Sequence, residues 1–190
     1  MNYFSEVVIH HYRRRSRGMS LIEILVVVAI VAVLTGLAGP SFVSTTQRFR
    51  SLGEANSFAG DLQFARTEAI KQGQPVTVCA SLNGTSCSTA SIWETGWIIF
   101  SDPNADQMIC ATCKLRVQKP WTGTDTFRAS GTTPVITFSR DGFRTVPAIT
   151  AGQITFTLHT NPSNSNATQC VTVSVTGRQS TQPYDGSGCK

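Results

Sequence analysis

The feature that most constrains this chain is an apolar run over residues 19–42 that contains a single carboxylate, Glu23. About 20 apolar residues suffice to cross a bilayer as a helix. A charged side chain within such a helix costs roughly 2.5–3.5 kcal/mol on insertion scales, so it usually marks a function that supplies a partner. Four arginines, at 13, 14, 15 and 17, precede the run and predict a cytoplasmic start and a periplasmic remainder.

Gly18 and Met19 distinguish this segment from two ordinary membrane segments. A secretory signal would have a shorter apolar core with its cleavage site after it, and a plain anchor would need neither Gly18 nor Glu23. The arrangement resembles the type IV prepilin signal, which the pseudopilins of type II secretion also carry. The resemblance implies that a prepilin peptidase cuts after Gly18 and that the new amine of Met19 is methylated. It also implies that Glu23 pairs with that amine on a neighbouring subunit during assembly.

The net charge gives little support to a nucleic-acid function. The chain has a formal charge of +5. Residues 1–18 contain four arginines against Glu6, a net +3, so cleavage leaves +2. From residue 76 onward, eight cations face six acids, again +2. The basic character therefore belongs mostly to the leader, where it serves membrane orientation.

Six cysteines lie beyond the apolar run, on the side where disulfides persist. Six cysteines allow fifteen connectivities. Short local spacing suggests the pairs Cys79–Cys87, Cys110–Cys113 and Cys170–Cys189.

The helical pattern continues beyond the apolar run, past Pro40, where a kink or local melting is expected. A three/four spacing predicts an amphipathic helix that needs a surface to pack on, and Lys71, Gly73 and Pro75 end it. The predicted organisation is a leader over 1–18, a membrane or filament-core half-helix over 19–43, an amphipathic half-helix over 44–72 and a β-rich head over 73–190. The predicted packing face comprises Phe49, Leu52, Ala55, Ala59, Leu62, Ala65 and Ala69.

From residue 75 onward the apolar period becomes two, which predicts six or seven short strands. Strand patterns begin near residues 76, 97, 114, 135, 154 and 170. A single long helix followed by strands predicts an α+β fold. The polar tract over 161–168 predicts a mobile loop.

The head resembles the GspH/FimT family, more its minor pilins of the FimU and FimT type than the H pseudopilin of type II secretion. The resemblance implies a type IV pilin-like fold, with one long N-terminal helix packed on an antiparallel sheet. Trp97, Ile99, Phe138 and Phe156 are the predicted sheet face beneath the helix. The motifs that carry the resemblance are Cys79 with Cys87, Trp93 with Gly96 and Trp97, the segments 97–102 and 114–116, Phe138 to Gly142, and Gly177-Arg178 before Cys189.

Catalytic and metal chemistry are not expected. His159 is the only histidine beyond the leader, and it lacks an obvious nucleophile partner. Cys110 and Cys113 have the spacing of a zinc or redox pair, but the periplasmic context favours a structural disulfide. The acidic turn at Asp102 imitates the start of a calcium loop without its sixth-place glycine and twelfth-place glutamate. No cofactor and no metal are predicted.

The C-terminal segment raises the question of DNA. In DNA-uptake members of the FimT group, a Gly-Arg-x-Arg motif contacts DNA, and here Gly177-Arg178 lacks the second arginine. Arg140, Arg144 and Lys190 would compensate only if they converged on one face. Because affinity falls steeply with fewer phosphate contacts, DNA is a possible partner that the sequence does not favour.

The sequence thus predicts a minor pilin of a type IV pilus, added near the filament tip and helping to initiate assembly. The alternatives are the H pseudopilin of a type II secretion system and a pilus-borne DNA receptor for transformation. The expected partners are the prepilin peptidase, other minor and major pilins or pseudopilins, and the inner membrane. The expected location is the bacterial inner membrane, with a single pass and a periplasmic head that can be extracted into the filament.

Overall fold

The computed structural model describes residues 18–110, 112–148, 150, 152–186 and 189, with the backbone alone over 37–41. The leader up to residue 17 and Lys190 therefore lie outside the described residues. A single helix, α1, covers Leu21–Gln72 and continues without interruption through Pro40. It ends where the sequence predicts. Gly73 follows its last residue with a positive φ of 66°, which residues with a side chain rarely adopt.

The chain divides into two compact units, one ending at Pro40 and the other beginning at Ser41. In the first unit the described apolar side chains of α1 are exposed, for example Leu21 at 78% and Ile22 at 68%. Within the described residues, no helix combines the length and apolarity that crossing a membrane requires. The second unit contains the rest of α1 and all the strands.

The part of α1 in the second unit buries a more polar stripe than the sequence predicts. Phe49 is 71% exposed and Leu52 is 38% exposed, so their assignment to the packing face is wrong. Gln47 and Ser51 are buried in their place because carbonyl groups of a remote loop accept hydrogen bonds from their side chains. The stripe follows the three/four spacing of one helix face. Its buried members are Gln47, Ser51, Ala55, Phe58, Asp61, Leu62, Ala65 and Ala69.

Nine strands follow α1 in the described residues, and they form two antiparallel sheets where the sequence predicts one. Strands β4, β6 and β9 were not predicted, because they are short or carry few apolar residues. The strands are β1 (Val76–Ala80), β2 (Trp97–Ser101), β3 (Lys114–Gln118), β4 (Thr126–Ala129), β5 (Val135–Phe138), β6 (Arg144–Val146), β7 (Ile154–His159), β8 (Gln169–Val173) and β9 (Gln179–Pro183).

The five-stranded sheet has the order β3-β2-β1-β5-β6 and the four-stranded sheet the order β4-β7-β8-β9. In the first, Val78 of β1 lies opposite Ile99 of β2 and Ile136 of β5. In the second, Phe156 of β7 lies opposite Val171 of β8. The predicted α+β class and the packing of a long helix on antiparallel strands are confirmed.

Phe58 lies at the centre of the core formed by α1 and both sheets. Its ring centroid is 5.3 Å from that of Trp93 and 5.0 Å from that of Trp97. It is 4.8 Å from the centroids of both Phe127 and Phe156. The pairs with Trp93, Trp97 and Phe127 are edge-to-face, and such pairs add to the free energy gained by burying apolar area. All four side chains predicted to lie beneath the helix, Trp97, Ile99, Phe138 and Phe156, are fully buried in this core.

The opposite face of the five-stranded sheet is also covered. Cys79, Ile98, Phe100 and Val135 form a second buried cluster. The residues that pack on it come mainly from the two loops that follow β1 and β2. These residues are Cys87, Ile109, Cys113 and Val146.

Candidate functional site: the N-terminal segment and the polar ends of the head

Gly18, Met19 and Ser20 precede the first turn of α1, which begins at Leu21. The Ser20 carbonyl accepts hydrogen bonds from the backbone N–H groups of Glu23 at 3.0 Å and Ile24 at 3.3 Å. A Cβ on Gly18 would meet no atom within 4 Å. The described residues therefore give no steric reason for glycine at this position.

Glu23 is exposed in the first turn of α1, where the helix dipole favours a negative charge. Its neighbours Ile22, Ile24 and Leu25 are between 46% and 68% exposed. Among the described residues, no ion pair includes Glu23. An ionised carboxylate surrounded by apolar side chains is costly in a dry environment unless it is paired or hydrogen-bonded.

A set of polar contacts holds α1 to the head near residue 47. The Gln47 side-chain amide donates to the Pro162 carbonyl at 3.2 Å and accepts from the Asn164 amide at 3.0 Å. The Ser51 hydroxyl donates to the Ala167 carbonyl at 2.5 Å. The segment over 161–168 contains the short 3-10 helix Ser165–Ala167 and is hydrogen-bonded to α1. Its mobility stays a prediction.

An ionic cluster lies one turn further along α1. The Arg50 guanidinium donates to both Asp125 carboxylate oxygens, at 2.8 and 2.9 Å, and the Asp125 side chain is fully buried. Glu54 lies four residues beyond Arg50 and is half-buried, with one carboxyl oxygen buried and lacking a hydrogen bond. Desolvation, with a smaller contribution from the Asp125 charge, raises the pKa of Glu54 from 4.5 to about 7 despite the nearby Arg50. Nothing in the sequence signals this cluster, because Asp125 lies 75 residues from Arg50.

A second network joins α1 to the five-stranded sheet. Asp61 is 5% exposed and accepts from the Trp97 indole at 2.8 Å and from the Arg116 guanidinium at 2.5 Å. Arg116 also lies over the Phe64 ring, 4.0 Å from its centroid. A buried carboxylate is tolerated when it is paired and hydrogen-bonded in this way, so this network stabilises the packing of the helix on the sheet.

All six cysteines are paired, as Cys79–Cys87, Cys110–Cys113 and Cys170–Cys189. These are the pairs that local spacing suggests. The first two fasten the loops that cover the outer cluster of the five-stranded sheet. The third ties β8 to the C-terminal segment.

The candidate DNA contacts differ in their exposure to solvent. Arg144 is fully buried, and its guanidinium donates to the carbonyls of Pro147 and Gly152. Burial lowers the pKa of Arg144, and its prediction as a possible phosphate contact is therefore wrong. Arg178 and Arg140 are exposed. Lys190 lies outside the described residues.

The turns that carry Arg140 and Arg178 meet at one end of the head. A Cβ on Gly177 would overlap the Gly142 carbonyl, which also accepts from the Arg66 side chain at 2.9 Å. Both glycines have positive φ, 80° at Gly142 and 73° at Gly177, so side chains are excluded here for two reasons. The sequence shows both glycines but not that they touch. This junction couples the ends of the two sheets to α1.

The remaining residues that the sequence raised as candidates for metal binding or catalysis are Asp102, the cysteines and His159. Asp102 is 1% exposed, and its carboxylate accepts from the Thr77 hydroxyl at 2.7 Å and from the N–H groups of Asp106 and Gln107. It therefore stabilises its own turn. The described residues contain no group of three or more His, Cys, Asp or Glu side chains that could hold a metal ion. His159 is exposed at the end of β7.

Comparisons with known proteins match both parts of the chain. The family model "Type II transport protein GspH" matches residues 54–177, and the model "Prokaryotic N-terminal methylation motif" matches residues 13–39. The type II secretion system protein H of Xanthomonas campestris pv. campestris is 35% identical over 63 residues. That alignment spans 33% of this chain and 37% of the relative, which is just over a third of its length.

The fold resembles that of the type IV minor pilin FimU of Pseudomonas aeruginosa. One crystal form gives a TM-score of 0.58 at 21% identity and covers 74% of this chain and 93% of FimU. A second gives a TM-score of 0.52 at 19% identity, covering 70% and 93%. At these identities the likeness is one of fold.

Proposed function

This chain belongs to the GspH family, and from that premise we propose that it is a minor pilin of a type IV pilus. In this proposal the subunit is incorporated near the filament tip and helps to initiate assembly. The family comprises minor pilins and pseudopilins, so a role in building a filament is common to both readings. The finer assignment to a pilus is our proposal, and the FimU-like fold supports it.

The observation that carries the proposal is the placement of Glu23. It lies in the first turn of an exposed apolar helix, four residues after Met19, within a segment that matches the methylation motif. We propose that the peptidase cuts between Gly18 and Met19, and that the subunit then waits in the inner membrane with its head in the periplasm. In the filament, the Met19 amine of a neighbour would form a charge-assisted pair with Glu23.

The test is a pair of substitutions at Glu23 that separate insertion from assembly. Glu23→Val and the isosteric Glu23→Gln both remove the charge, so both should accumulate normally in the membrane. Each should be depleted at least about tenfold from sheared filaments if the pair is worth about 1.4 kcal/mol or more. Glu23→Asp keeps the carboxylate and serves as the matched control. Normal incorporation of the uncharged variants would refute the proposal.

A specific observation favours the second candidate, the H pseudopilin of a type II secretion system. The curated relative from Xanthomonas campestris has that name, although it aligns with only a third of this chain. The two systems can be separated by asking which apparatus loses activity when the gene is deleted. Loss of surface pili with normal protein secretion would support the pilus assignment, and the converse result would support the pseudopilin.

A further inference from the structure

The three disulfides differ in how far solvent reaches their cysteines. Cys79 and Cys170 are fully buried, and the partner of each is half-buried. Of the six cysteines, all within the described residues, Cys110 alone is exposed, and its partner Cys113 is half-buried. Thiol–disulfide exchange begins with the attack of a thiolate on a disulfide sulfur, so its rate depends on access to that atom. The Cys110–Cys113 bridge is therefore the one most open to an external thiol.

A cleft of about 400 Å³ leads to this bridge. Cys110 and Cys113 both line it, together with Met108 and Ile109. Met108 is 72% exposed, so the lining offers an apolar contact beside the sulfur atoms. The Asp102 carboxylate also lines the cleft and accepts hydrogen bonds from two backbone N–H groups of the same loop, which holds this wall in place. The volume falls within the range of ligand pockets, about 300–1,000 Å³.

The two cysteines lie in a tight turn whose hydrogen bonds do not depend on the disulfide. The Cys113 backbone N–H donates to the Cys110 carbonyl at 3.3 Å, and the Cys113 carbonyl accepts from the Ser101 N–H at 3.0 Å. The Thr112 hydroxyl lies 3.7 Å from Cys110 Sγ and can donate to a thiolate at that atom. The turn thus keeps the two sulfur atoms close after the bridge opens, so that the bridge can close again.

We infer that Cys110–Cys113 is an exchange site for a dithiol protein of the thioredoxin class. One thiolate of the partner attacks Cys110 Sγ, forms an S–S bond to it and releases Cys113 as a thiolate, which takes a proton from water. The partner's second thiolate then attacks the partner sulfur of that bond and forms the partner's own disulfide. This step releases the Cys110 thiolate, which also takes a proton from water. Two electrons pass from the partner to this chain, and one disulfide replaces the other.

The exchange acts on a loop that covers one face of the five-stranded sheet. Cys113 and Ile109 pack on the second buried cluster, so the bridge affects how firmly this loop covers that face. The other two disulfides stay closed, because a fully buried cysteine shields each of them. The inference rests on the proposed periplasmic location of the head only in placing the partner there.

The first test measures which bridge opens in the folded chain. The full chain, purified in an uncharged detergent, is treated with dithiothreitol without denaturant, and free thiols are alkylated and located by peptide mass mapping. Cys110 and Cys113 should be alkylated at least about tenfold faster than the other four cysteines, while circular dichroism stays constant. Equal rates at all six cysteines, or a faster reaction of another pair, would overturn the inference.

The second test separates a protein partner from a small thiol. The probe is thioredoxin with its second active-site cysteine replaced by serine, which cannot complete the exchange and stays bonded to its target. A mixed disulfide at Cys110 is expected, and the matched control, Cys110→Ser with Cys113→Ser, should form none. An adduct at another cysteine would refute the assigned site. Opening by dithiothreitol without any thioredoxin adduct would make a small thiol the reactant and refute the protein partner. Because Glu23 takes no part in either test, the inference and the proposed assembly role can fail separately.

Discussion

Glu54 should make the stability of the head depend on pH, in the direction opposite to that of most carboxylates. Its pKa is raised from 4.5 to about 7 by burial and by the charge of Asp125. Between these values the folded chain holds a proton that the unfolded chain has released, so the free energy of unfolding falls as pH rises through that window. Below pH 4.5 Glu54 is protonated in both the folded and the unfolded chain. Above about pH 7 it is charged in both, and the full free-energy cost of burying its charge lowers the stability of the head.

The size of the effect follows from the pKa difference and the exposure of the group. A change from 4.5 to about 7 corresponds to at most ~3 kcal/mol. Because Glu54 is only half-buried and water screens its charge, about 1 kcal/mol is expected. Glu54→Gln keeps the shape without the charge, so it should stabilise the head by that amount at about pH 8.5 and by almost nothing at about pH 4. The melting temperature at high pH should rise by about 2–4 °C.

The assay is urea and thermal unfolding of residues 44–190 at both pH values. Glu68→Gln on the same helix is the matched control. Hydrogen bonds from Gln72 and then Lys71 lower the pKa of Glu68, so Glu68→Gln should not stabilise the chain at high pH. A stabilisation by Glu54→Gln that is equal at both pH values would refute the reasoning, since it would then come from packing or helix propensity.

Three further predictions concern processing, the disulfides and DNA. Gly18→Val should block the peptidase and leave the full-length precursor in the membrane; mature protein at normal levels on an immunoblot would contradict the proposed cleavage. Replacing Cys170 and Cys189 with serine should cost about 3 kcal/mol, since their bridge joins residues 19 positions apart in the sequence; an unchanged urea midpoint would show that the bridge is dispensable. Duplex DNA at physiological salt should bind the head no more tightly than roughly 10⁻⁴–10⁻⁶ M, because Arg144 is buried and phosphate contacts are few. Submicromolar binding abolished by Arg178→Gln would instead support the receptor alternative.

The local sequence pattern was enough to predict the helix and the strands that are rich in apolar residues. A three/four apolar pattern and a terminal glycine predicted a helix ending at residue 72, where α1 ends. An apolar period of two located β1, β2, β3, β5, β7 and β8. The alternation failed for β9, because Gln179–Pro183 consists of four polar residues and a proline. That strand exists because β8 supplies its hydrogen bonds, residue for residue from Gln179 opposite Val173 to Pro183 opposite Gln169.

The burial of polar groups, and hence their availability to partners, depends instead on contacts that form only in the folded chain. Ser51 is buried, and its hydroxyl donates a hydrogen bond to a carbonyl 116 residues away. Phe49, two residues earlier, lies on the other side of the helix and is exposed. From the sequence, Arg144 was a plausible surface cation, but in the folded chain it is buried and donates hydrogen bonds to the Pro147 and Gly152 carbonyls. The physical reason is that burying a polar or charged group is costly unless a partner is supplied. The apolar pattern predicts which face of a helix or strand is buried. It does not predict these hydrogen-bond partners, which come from loops that only folding brings close.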